Sequence, residues 1–73
     1  MLLKCTYMGL PIWDESLHRR ITTIEAGATV LSLNEEKQDT QAKSALPNLY
    51  IKIFYNDAIG WSLKRCFKSF EDS

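Results

Sequence analysis

Leu49-Tyr50-Ile51-Lys52-Ile53-Phe54-Tyr55, then Asn56-Asp57, then Ala58-Ile59-Gly60-Trp61-Ser62-Leu63 is the stretch that decides the fold. The first seven residues are aromatic or branched apolar side chains with one lysine among them, the composition of a half-buried strand. Asn56-Asp57 tolerates the positive φ that a two-residue hairpin turn demands. Residues 58–63 then return as the partner strand. Gly60 inside that run marks a bulge or a close backbone approach.

Working outward, residues 64–67 (Lys-Arg-Cys-Phe) are short enough for a single helical turn, Lys68 to Phe70 can add a last strand, and Glu71-Asp72-Ser73 ends polar. On the N-terminal side, residues 34–48 change character. Glu35, Glu36, Lys37, Asp39 and Lys43 crowd there without an aromatic, and we expect a long polar loop closed by Pro47 and Asn48. Residues 28–33 and 21–26 read as short strands separated by Gly27. Residues 13–20 form a loop with acidic groups first and basic groups last. Residues 2–8 make the first strand, which Gly9 and Pro11 interrupt.

Five or six short strands without an amphipathic helix cannot bury both faces of an open sheet. The reading is an all-β single domain over 1–73, a small, strongly bent antiparallel barrel filled by one layer of side chains. Cys5, Ile21, Ile24, Val30, Leu33, Ile51, Ile53, Ile59 and Leu63 are expected inside. The chain has 73 residues, and one this short buries only about 60% of its extended surface, which leaves little room for an enclosed active site.

Ile21-Thr22-Thr23-Ile24, Ala26-Gly27 and Val30-Leu31, with Tyr50 to Ile53, the tight turn, Gly60-Trp61 and Phe67, resemble the bacterial SH3-like domains. The resemblance covers about 21–33 and 49–70. It implies an SH3-like barrel and a final hairpin followed by a one-turn helix. The eukaryotic proline-peptide groove is not implied, because its Trp-Trp pair and Pro-x-x-Tyr segment are missing. The resemblance implies a small regulatory, inhibitory or adaptor protein, bacterial or phage, and not a catalyst.

Nine Lys and Arg balance nine Asp and Glu, which gives no reason to expect a strongly cationic binder. Cys5 and Cys66 read as free apolar residues of a reducing compartment, though a bridge between the terminal strands is the other reading. With His18 they lack CxxC spacing, so the reading calls for no metal. It calls for no cofactor and no enzyme either, because there is no phosphate-cradling loop and no activated nucleophile. The start lacks the apolar core of a signal peptide, no run is long enough for a membrane helix, and a cytoplasmic protein is expected.

Two Trp, three Tyr and three Phe exceed what so narrow an interior can hold. Some of Tyr7, Trp13, Tyr50, Phe54 and Trp61 should therefore stay exposed and anchor a protein partner. The alternative is single-stranded nucleic acid, held by the basic group Lys52, Lys64, Arg65 and Lys68 with rings between. The unpaired edges of an incomplete barrel also leave room for a second copy.

Overall fold

The computed structural model describes residues 1–39 and 48–69. It holds β1 (Leu2–Cys5), β2 (Leu10–Trp13), β3 (Arg20–Ile24), β4 (Thr29–Asp39), β5 (Asn48–Tyr55), β6 (Ala58–Leu63), a 3-10 turn (Lys64–Cys66) and β7 (Phe67–Ser69). The strands form one seven-stranded antiparallel sheet in the order β3-β2-β6-β5-β4-β1-β7, curled into a half-barrel. The all-β expectation holds, but seven strands replace the five or six expected, and the sheet curls into a half-barrel where a barrel was expected.

The central hairpin is the one read from sequence. Asn56 and Asp57 both take positive φ, 50° and 63°. The two-residue turn locks the register, so that Phe54 faces Ile59, Ile53 faces Gly60 and Lys52 faces Trp61.

Two corrections concern strands. β2 lies in the stretch expected to be interrupted by Gly9 and Pro11. Leu10 and Ile12 point inward while Pro11 stands opposite Thr23. Proline lacks an N–H, but its carbonyl still accepts, here from the Ser62 hydroxyl at 2.8 Å. The second correction is that β4 runs to Asp39, into the segment expected to be a polar loop from residue 34. Lys37, Gln38 and Asp39 pair with Tyr50, Leu49 and Asn48. Beyond Leu31 β4 has no strand register with β1, and among the described residues its only bond there is from the Ser32 N–H to the Met1 carbonyl at 2.8 Å. A bulge sets Leu33, Asn34 and Glu35 against Lys52 alone, with Asn34 at φ 60°. Residues 40–47 of the expected loop, and Phe70 of the expected last strand, lie outside the described residues.

The concave side is the core: Leu3, Cys5, Leu10, Ile12, Ile24, Val30, Ile51, Ile53 and Cys66, flanked by Ala28, Tyr55, Leu63 and Phe67. Four expected interior residues need correction. Ile59 is exposed, because the hairpin register gives the inward position beside Ile53 to Gly60. Ile21 is exposed at the register shift where Trp13 meets Arg20 and Ile12 meets Thr22. Leu33 sits in the β4 bulge and is half-buried, and Leu63 is half-buried at the core margin. Cys5 and Cys66 are free and buried. No helix among the described residues is long and apolar enough to cross a membrane.

Candidate functional site

The outer face of the sheet carries the unusual chemistry. Strand alternation sends Ile51 and Ile53 inward and Tyr50, Lys52 and Phe54 outward. Following the register across four strands, Leu2 faces Leu31, Leu31 faces Phe54, and Phe54 faces Ile59. These four residues make an unbroken apolar row on the convex side, each between 37% and 54% exposed. Scattered surface leucines need no explanation, but a row in register across four strands is a contiguous patch.

One step along the same face, Lys4 stands directly opposite Lys68, and both are exposed. Neither makes an ion pair with a described residue. Like charges directly opposite on a sheet are destabilising.

On the other side of the row lies Trp61, with Trp13 across from it on β2 and Lys52 across from it on β5. Trp61 is only 5% exposed although it is not part of the core cluster. Polar neighbours cover it instead. The Lys37 ammonium sits 4.3 Å from the ring centre and Lys52 5.9 Å away, both within cation–π range. Glu15, from the β2–β3 loop, bridges the two lysines at 3.6 and 3.5 Å, and Lys37 also donates to the Glu15 backbone carbonyl. Glu35 holds Lys52 from the far side at 3.6 Å.

Asp14 folds that loop. Its Oδ1 accepts from the Ser16 hydroxyl at 2.8 Å and from the His18 N–H at 3.2 Å. The Ser16 hydroxyl is the main cause holding the Asp14 carboxyl below its ordinary value, with the Arg19 and His18 amides adding to it. The Glu15 carboxyl is also held low, first by the Trp61 indole N–H and then by Lys52 and Lys37. The buried Trp61 Nε1 nonetheless makes no hydrogen bond of full geometry. Its pull on Glu15 is electrostatic, and Lys37 and Lys52 are the carboxylate's ion-pair partners.

A pH prediction follows from these two carboxyls. Groups whose folded pKa is depressed lend stability above their unfolded values and lose it as pH falls through the folded ones. Lowering pH below about 4 should therefore release the loop from Trp61. The indole Nε1–H resonance of Trp61 should shift between pH 6 and pH 3, and much less in Glu15→Gln. An equal shift in the variant would show that Glu15 is not the latch.

The expected anchors separate into two groups. Phe54 lies in the exposed row, and Tyr7 is exposed in the turn after β1. Trp13 is half-buried, whereas Tyr50 and Trp61 are buried and offer no ring to a partner. Burial pushes the Tyr50 phenol up, Asp39 adds to this, and Arg65 opposes it. The expected basic group is divided. Lys52 is tied to Glu15 and Glu35, Lys64 is tied to Glu36 at 2.5 Å, and Lys68 faces Lys4 at the β1–β7 end of the sheet. Sequence reasoning missed Leu2, Lys4, Leu31 and Ile59. The hairpin register, counted from the two-residue turn, would have found Ile59.

A cleft of ≈ 600 Å³ has walls that include Leu3, Ile51, Phe67 and the Lys64–Glu36 pair. No group of three His, Cys, Asp or Glu able to hold a metal is present among the described residues. Burial pushes the Cys66 thiol up, against the neighbouring Arg65, so that it is a poor source of thiolate. No family model, curated protein or solved structure matches this chain.

Proposed function

We propose that this chain is a non-enzymatic protein-binding module of the SH3-like kind, a small regulatory or adaptor protein acting in the cytoplasm. The observation that carries the reading is the apolar row Leu2–Leu31–Phe54–Ile59 on the outer face of the sheet. Its side chains are held by regular strand pairing, so a partner meets a rigid surface and loses little ordering entropy on the protein's side. Phe54 is its only ring and stands between Leu31 and Ile59, the position of a central anchor ringed by aliphatic contacts. The curled sheet, the tight hairpin and the one-turn helix before the last strand support the SH3-like assignment.

The nucleic-acid alternative has less support, because two of its four cations already hold carboxylates. The test is co-purification from the native host with the wild-type chain and with Phe54→Asp. Phe54 is exposed, so the variant should fold. An anchor of this type contributes about 2 kcal/mol or more, so recovery of the partner should fall by roughly thirtyfold. Undiminished recovery by the folded variant rules this surface out.

A further inference from the structure

We propose that the occupant of the apolar row is an acidic protein segment, whose apolar side chains lie on Phe54 and its neighbours and whose carboxylate reaches Lys4 and Lys68. This rests on the protein-binding reading and adds the chemistry of the partner.

Lys4 and Lys68 face one another across β1 and β7, an arrangement that costs stability in the free chain. The other lysines for which an ion pair is seen, Lys37, Lys52 and Lys64, each have a glutamate. Lys4 and Lys68 have none among the described residues. Lys4 is two residues from Leu2, on the same strand and the same face, so the lysine pair borders the apolar row. A carboxylate placed between the two ammonium groups would remove their repulsion and gain two charge-assisted contacts.

Other occupants fit less well. Two copies of a convex face touch over little area. An anionic membrane recruits clusters of four or more basic residues, and this border supplies two. Single-stranded nucleic acid wants stacking rings in series, and the row offers one.

The experiment uses three fluorescein-labelled heptapeptides of alternating apolar and polar residues, in which the polar residue is glutamate, glutamine or lysine. Anisotropy is read at low and at high salt. The glutamate peptide should bind roughly three- to tenfold more tightly than the glutamine peptide at low salt, and the lysine peptide most weakly. That advantage should vanish in the double variant Lys4→Gln with Lys68→Gln, and in high salt. Phe54→Ala should weaken the glutamate and glutamine peptides alike.

Equal, Phe54-dependent binding of the glutamate and glutamine peptides would overturn the acidic preference and leave the protein-binding reading standing. An advantage that survives in the double variant would also overturn it. Binding of none of the three peptides, or stronger binding to phosphatidylserine vesicles or to an oligothymidine probe, would overturn both. Removing two facing like charges relieves repulsion, so the double variant should melt no lower than the wild type, which keeps the comparison among folded proteins.

Discussion

Gly60→Ala should remove much of the chain's stability. A Cβ built at Gly60 would come within 2.5 Å of Ile12 Cγ2 and 2.5 Å of the Trp13 backbone oxygen, with Ile21 Cδ1 at 3.1 Å. The side-chain contacts could yield by rotation, but the Trp13 carbonyl could not. Trp13 is the one residue through which β2 is registered on β6, and that pairing joins the β2–β3 hairpin to the rest of the sheet. Relieving the clash means moving β2 away and opening the half-barrel between Ile12 and Ile53, both fully buried. Overpacking that forces side-chain and backbone shifts costs about 1–3 kcal/mol, occasionally more, and a carbonyl contact belongs at the upper end. A domain of this size has little stability to lose, with about 5 kcal/mol typical of the low end. Circular dichroism with urea titration reads the outcome. Shortening Ile12 in the same chain should not restore the lost stability, because the carbonyl contact stays. A Gly60→Ala protein that melts close to the wild type would show that β2 can move off β6 at little cost.

That glycine also shows how far the sequence could be read. Its position within a strand already pointed to a close approach, and the hairpin around it carried its own turn chemistry in Asn56-Asp57. The strand of residues 58–63 and the short turn after it were therefore legible from local residues. β2 was not, since Gly9 and Pro11 are breakers by local rules. Only the long-range partners Thr23 and Ser62 explain why the chain stays extended there. β4 beyond residue 34 was hidden for a related reason. A charged segment becomes a strand when a neighbour supplies the hydrogen bonds, and β5 supplies them without requiring an apolar face.

The candidate site was legible in part. An excess of rings over interior space correctly left Phe54 and Tyr7 outside. Tyr50 and Trp61 were misplaced because ring counting assumes that a ring off the core is bare. The aliphatic stems of lysines and a loop carboxylate can cover an indole as well as apolar side chains do. No local pattern announces that Glu15 will meet residues 37, 52 and 61.

Trp61→Ala should therefore damage stability and not recognition alone. The indole is 95% removed from solvent, but on the face away from the core cluster. Its truncation removes a large apolar body and uncouples three elements at once: the loop through Glu15, the end of β4 through Lys37, and β5 through Lys52. Buried Trp or Phe to Ala changes cost about 3–5 kcal/mol, and the low end applies here because flexible lysine stems can partly close the gap. Trp61→Phe keeps a ring for the two ammonium groups and loses the indole N–H and the stronger cation–π face, so it should cost about 1 kcal/mol. The loss should begin in the loop. The His18 and Arg19 amides, which face Asp14 Oδ1 at 3.2 and 3.4 Å, should exchange with solvent faster in Trp61→Ala while the inward β5 strand stays protected at mild denaturant. An alanine variant within about 1 kcal/mol of the wild type, with loop exchange unchanged, would mean that the lysines and Glu15 hold the loop without the ring. In that case Trp61, once its cover is displaced, would return as an anchor for a partner.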